Sequence, residues 1–211
     1  MVKKDSVLRN LNDMNTQFAF YMDTNACVGC KACQIACQDK HDLPAEILWR
    51  RVVEYVDGSW NIEGERLIPK NILSYYVSMA CNHCERPLCI EACPTEAIFK
   101  RSKDGIVLID YDECTGCRDC ESACPYGALQ YNADTGLMTK CTLCHDLLFK
   151  SENPVCVDAC TMRVLGFGEL NELRAEFGDT SAVEPLPDAD LTGPSLVLTP
   201  HRHARLSAKG C

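Results

Sequence analysis

The stretch CTGCRDCESACP, residues 114–125, sets four cysteines within eleven positions and closes on a proline. Thiols at that density serve disulfides, zinc or an iron–sulfur cluster, and each use predicts a different arrangement of cysteines elsewhere in the chain. The chain holds seventeen cysteines in 211 residues. That share is met in small secreted disulfide scaffolds and in metal-loaded proteins. This chain is too long for the first class, and with 46% hydrophobic residues it has enough to bury a core of its own. Disulfide staples would be redundant.

Sixteen of the cysteines form four groups. The first is Cys27, Cys30, Cys33 and Cys37; the third is Cys114, Cys117, Cys120 and Cys124; both read C-x2-C-x2-C-x3-C. The second, CNHCERPLCIEACP, is Cys81, Cys84, Cys89 and Cys93, with two extra residues between its second and third thiols. The fourth is open: Cys141 and Cys144, then Cys156 and Cys160, with eleven residues between the pairs. This is the spacing of the bacterial ferredoxin run. Three thiolates on a tight loop wrap three corners of one cluster, and the fourth, a helical turn away, reaches the neighbouring cluster. Cys114, Cys117 and Cys120 are therefore expected to share a cluster, with Cys124 belonging to its neighbour. The proline after the fourth thiol occurs at Pro94 and Pro125, while Gln38 and Thr161 replace it in the other two groups.

Zinc is the competing use, since paired C-x2-C motifs also write zinc ribbons. The fourth group alone fits it. A zinc site has no use, however, for the third cysteine of C-x2-C-x2-C-x3-C, which occurs intact twice. A nucleic-acid module would lean on a basic surface, and the formal net charge is −9.

Between the groups the sequence is written for small α+β units. After Cys93 a short helix leads to a strand, a turn at Lys103-Asp104-Gly105 and a second strand, IVLID. After Cys124 the scheme repeats, with a turn near Asn132 to Gly136. The longer segment before Cys81 reads as a hairpin about Asp57-Gly58 in RRVVEYVDGSW, with NILSYYVSMA as a buried strand. GELNELRAEFG has helical periodicity and a glycine stop at Gly178. The proline-rich segment after it is expected to form an extended tail, either disordered or with SLVLTP lying along a partner surface.

No stretch is apolar enough to span a bilayer, and MVKKDSVLRNLNDMNTQF has no apolar signal core. The internal pair Arg50-Arg51 is not a twin-arginine signal.

Over roughly residues 17–200 the chain resembles the iron–sulfur subunits of the dimethyl sulfoxide reductase family of complex iron–sulfur molybdoenzymes. The resemblance rests on the four groups in this order, on CNHCERPLC, and on ACPYGALQYNADTGLMTKCTLC, residues 123–144. It implies a nested pairing of groups, first with fourth and second with third. Spacing alone leaves that open, because twenty residues separate the second group from the third and sixteen the third from the fourth. Carried over, the pairing gives four sites: A, with Cys27, Cys30, Cys33 and Cys160; B, with Cys37, Cys141, Cys144 and Cys156; C, with Cys81, Cys84, Cys89 and Cys124; and D, with Cys93, Cys114, Cys117 and Cys120. Nitrate reductase relatives have tryptophan where this chain has Cys120, so the resemblance implies four [4Fe–4S] clusters here.

The implied architecture is two interleaved ferredoxin-like units, residues 17–37 with 138–178 and residues 81–137, with an inserted hairpin region, 38–80, and a partner-binding tail, 179–211. The implied role is non-catalytic. The chain would carry electrons between a quinone-linked membrane anchor and a molybdopterin catalytic subunit, in a peripheral membrane complex on the extracytoplasmic face, exported with a signal-bearing partner. The alternative is a self-standing polyferredoxin serving soluble partners, which would have no need of the insertion and tail. The terminal acceptor is a property of the catalytic subunit and is not written in this chain.

His41, His83, His145, His201 and His203 are scattered, and solvent-facing loops are expected for His83 and His145 beside their cysteines. Lys140 and Arg118 adjoin cysteines too. Either raises a cluster's potential or is an ordinary exposed loop charge, the second being the expectation. Cys211 has no partner spacing and reads as a free thiol.

Overall fold

The computed structural model describes residues 16–205; Cys211 lies outside them. Strand β1 (Phe18–Asp23) is apolar on both faces, with Phe18, Ala19, Phe20 and Met22 buried, the pattern of a central strand. It pairs antiparallel with β8 (Leu165–Glu169), Phe18 opposite Glu169, and parallel with β9 (Leu196–Thr199), Phe20 opposite Leu196. The strand order is β8-β1-β9. The helix expected to stop at Gly178 forms as α6 (Leu170–Phe177), with Gly178 at φ +89°. It buries Leu170 and Leu173 against the sheet.

The β9 pairing corrects one expectation. SLVLTP lies along the chain's own β1, with Leu196, Val197 and Leu198 buried, and is not an exposed strip left for a partner. Its apolar run answers the apolar face of a strand more than 170 positions earlier, a distance at which sequence periodicity carries no information.

The insertion is a long two-stranded ribbon, β2 (Arg51–Glu63) and β3 (Arg66–Met79). β2 runs straight through Asp57-Gly58, where a hairpin turn was expected, and the chain turns instead at Gly64-Glu65, with Gly64 at φ +64°. Gly58, at φ +127°, marks a bulge in which Asn71 and Ile72 face it together. NILSYYVSMA is buried only toward its end, from Tyr75 onward apart from Tyr76. At the tip, Trp60, Ile62, Leu67 and Pro69 share one face and are exposed.

Two hairpins of three-residue strands complete the sheets: β4 (Ile98–Lys100) with β5 (Val107–Ile109), and β6 (Gln130–Asn132) with β7 (Leu137–Thr139). Their turns fall where Lys103-Asp104-Gly105 and Asn132 to Gly136 place them, with Gly105 at φ +69° and Gly136 at φ +72°. Short helices carry cysteines: α1 (Ala32–Lys40), α2 (Leu88–Glu91), α3 (Asp119–Ala123) and α5 (Val155–Asp158), with α4 (His145–Leu148) directly after Cys144. α1 packs on α5, and α2 packs on α3. A compact second core of Cys89, Ile98, Val107, Cys120, Leu129 and Met138 sits under the two hairpins. Among the described residues, no helix is long and apolar enough to cross a membrane.

Candidate metal centres

The repeated motifs fold alike. In CVGCK, Gly29 (φ +68°) and Lys31 (φ +62°) flank Cys30; in CTGCR, Gly116 (φ +67°) and Arg118 (φ +72°) flank Cys117. Two left-handed residues around each central cysteine curl the loop so that its thiols turn inward and its amides form an anion-accepting concavity. A Cβ on Gly29 would sit 2.6 Å from the Tyr76 ring, and one on Gly116 would drive into the carbonyl oxygen of Gly136. The left-handed φ favours glycine at both places, and at Gly116 the backbone of Gly136 also leaves no space for a side chain.

Three cavities gather the thiols. Cys27, Cys30, Cys33 and Cys160 line one. Cys81, Cys84, Cys89 and Cys124 line another, and Cys93, Cys114, Cys117 and Cys120 a third. Each takes three cysteines from one group and one from another. Of the remaining four, Cys37, Cys141, Cys144 and Cys156, all are buried. Cys37 is pushed up to about 12 by burial first and then by the nearby Cys156 thiol, with Cys144 adding to it. Burial also raises Cys141, with Cys37, Cys81 and Cys156 adding to it.

Burial is the first cause for the other raised thiols. Cys89 is pushed to about 12, and Cys84, Cys120 and Cys144 to about 11. Thiols held this close cannot all ionise unless a cation is bound among them. The exposed Cys30 behaves differently. The Ala32 amide, with the Thr161 hydroxyl 3.6 Å away, holds it below the usual thiol range. Thr161, which stands where proline does in the second and third groups, thus shares a hydrogen bond with a thiol across the site. At Cys93 burial acts upward but is outweighed by the Thr95 hydroxyl and nearby amides. The amide of Leu143 donates to Cys141 Sγ at 3.3 Å.

The donor set fits a cluster better than a single ion. Zinc at about 2.3 Å from four sulfurs would draw those sulfurs to about 3.8 Å of one another. Among the described residues, no three His, Cys, Asp or Glu side chains converge as a single-ion site. All-thiolate sets, three sulfurs from one group and the fourth from another, suit [4Fe–4S] clusters.

Two loop residues are not where they were expected. Lys140 is 1% exposed, its ammonium donating to the carbonyls of Val107 and Cys141. His83 is also 1% exposed; its Nδ1 accepts from the Val107 amide at 3.0 Å, and burial, then Lys140, hold it well below the ordinary histidine value. Both lie under the β4–β5 hairpin, which closes over residues that would otherwise face solvent. His145 is half-buried, and Arg118 stays exposed in an ion pair with Glu121 at 2.8 Å. Two contacts had no sequence signal: His41 Nε2, 3.5 Å from Cys144 Sγ, and Arg50, 2% exposed.

Residues 72–170 match a family model described as a 4Fe-4S dicluster domain, and residues 24–40 one described as a 4Fe-4S binding domain. Over 192 residues the sequence is 46% identical to the B component of anaerobic dimethyl sulfoxide reductase from Escherichia coli, covering 91% of this chain and 93% of that one. It is 32% identical over 200 residues to the B component of polysulfide reductase from Wolinella succinogenes, covering 92% and 100%. To the B component of sulfite dehydrogenase from Allochromatium vinosum it is 34% identical over 182 residues, covering 76% and 72%. Set beside the thiol-lined cavities, these relationships place the chain in the family of the iron–sulfur, electron-transfer subunits of dimethyl sulfoxide reductase-type complexes.

Proposed function

We propose that the sixteen grouped cysteines hold four [4Fe–4S] clusters, in sites A to D as the family pairing sets them, and that the chain passes electrons between a quinone-linked membrane anchor and a molybdopterin catalytic subunit. The observation that carries this is the make-up of the cavities. Three of them are lined by four cysteines apiece, three from one group and the last from the partner group of a nested pairing. Bound clusters supply the one-electron chemistry. The chain's own residues supply the ligands, the amide and hydroxyl donors to sulfur, and the burial.

The burial pattern supports a linear order. Cys30 of site A and Cys117 of site D are exposed, whereas all four thiols of site B are buried. The Cys141 thiol of site B feels Cys81 of site C, which supports B and C as neighbours inside the molecule. Cys33 and Cys37 share α1, joining A to B, and Cys89 and Cys93 bracket the end of α2, joining C to D. A path with two accessible ends is what a relay between two partners needs and a store does not. By family likeness, site A faces the catalytic subunit and site D the anchor, on the extracytoplasmic face of the membrane, the chain being exported with a signal-bearing partner.

The deciding measurement is the metal and sulfide content of anaerobically purified protein. About sixteen irons with matching sulfide are expected. About four zincs with little iron would sink the proposal.

A further inference from the structure

Arg50 stands at the root of the inserted ribbon and is 2% exposed. Its guanidinium lies 4.3 Å over the Phe20 ring. Nη1 donates to the Ser78 hydroxyl at 3.1 Å and to the Ser78 carbonyl at 3.3 Å. Nε and Nη2 are buried and meet no carboxylate, carbonyl or hydroxyl acceptor among the described residues; the side chain reaches the Cys156 thiol instead, and none of the ion pairs there includes Arg50. An unpaired buried cation is strongly disfavoured, and arginine does not escape that cost by losing its proton. Its counter-charge must lie among its neighbours.

Those neighbours are thiols of two different sites. On one side the Ser78 hydroxyl is 3.3 Å from Cys33 Sγ of site A. Where Cys33 is a cluster ligand, and so a thiolate that can only accept, the Ser78 hydroxyl donates to its sulfur while accepting from Arg50. On the other side the guanidinium charge bears on Cys156, Cys141 and Cys37 of site B. Lys140, the other buried cation, differs in kind: its ammonium donates to two backbone carbonyls.

We propose that Arg50 is a positioning residue for electron transfer, a permanent cation set between sites A and B that serves as shared counter-charge to both sets of thiolates and holds both clusters at a higher reduction potential than their ligands alone would give. The inference rests on the four-cluster reading above. Its physical basis is that adding an electron makes a cluster more negative, which a neighbouring buried cation favours. The pair at Arg50-Arg51 thereby gains a use. Its first member enters the sites, while the second, pointing the other way along the strand, donates to the Tyr126 carbonyl at 2.6 Å.

The test is redox titration of the assembled complex followed by EPR, with the signals of sites A and B assigned by their loss in Cys33→Ser and Cys37→Ser. Iron is measured first. Fewer than four clusters in the unsubstituted complex refutes the four-cluster reading, a failure separate from that of this inference. With all four present, Arg50→Met should lower the midpoints of A and B by at least about tenfold in the reduction equilibrium, or 59 mV for a one-electron couple, leaving C and D unmoved. Arg50→Lys should keep both near their original values. Ser78→Ala, which leaves the charge in place, should lower A alone. Unmoved midpoints in Arg50→Met, or an equal shift of all four, would overturn the inference. If Arg50→Met does not retain its iron, Ser78→Ala decides: an unchanged midpoint at A overturns it.

Discussion

Cys120 joins α3 to the compact core under the two hairpins and is one of the four thiols around the cavity of site D. Replacing it with serine removes one thiolate. The expected product is a three-iron cluster of raised potential, which traps electrons arriving from quinol. In Cys120→Ser, quinol-driven substrate reduction should fall by about tenfold for each 59 mV of added trap depth. Reduction by a dye entering near the catalytic subunit should survive. Equal loss in both assays, with the EPR signals of the other three clusters intact, would move Cys120 to the catalytic end. At this scale the sequence was most informative, because thiol spacing is a local property fixed by the reach of one loop and one helical turn. It was least informative for Lys140, His83 and Arg50. Whether a polar side chain beside a cysteine is exposed depends on the hairpin or ribbon folded over it, and no run of adjacent residues records that.

Gly29 and Gly116 occupy equivalent places in two copies of one loop, yet their surroundings differ. The ring facing Gly29 belongs to Tyr76, half-buried and able to turn, while the atom facing Gly116 is the backbone oxygen of Gly136, held by the β6–β7 hairpin. Alanine in the left-handed region costs about 1–2 kcal/mol at either position; only at Gly116 is there an added overlap that no rotamer relieves. Gly116→Ala is therefore expected to lose about four irons while Gly29→Ala keeps nearly all. Iron content of the purified variants is the measurement, and equal loss in both would refute the distinction. The hairpins β4–β5 and β6–β7 were legible for the same reason as the loops, since each turn lies within a few residues of its strands. The ribbon's turn was misplaced because Asp57-Gly58 carries the composition of a turn as well as that of a bulge, and only the partner strand distinguishes them.

For the molecule as a whole, the clusters are expected to replace much of the hydrophobic core. Paired strands of three residues are too short to persist alone, and two of the six buried residues beneath them are cysteines. Removing iron with a chelator should abolish amide-exchange protection in residues 81–137, while the sheet of β1, β8 and β9, which buries Phe18, Phe20, Met22, Leu196 and Leu198, keeps more of its own. Uniform loss across both regions would show that the sheet depends on metal equally. The timing of synthesis follows from that same sheet. β1 is made well before its neighbours β8 and β9, which begin at Leu165 and Leu196. During translation the apolar FAFYMD strand therefore has no mate until those later segments have left the ribosome, whereas residues 81–139 can collapse on their own short loops long before. Iron has something to bind in residues 81–139 while β1 still waits, and an interval of exposed β1 is when a holding chaperone would have most to do.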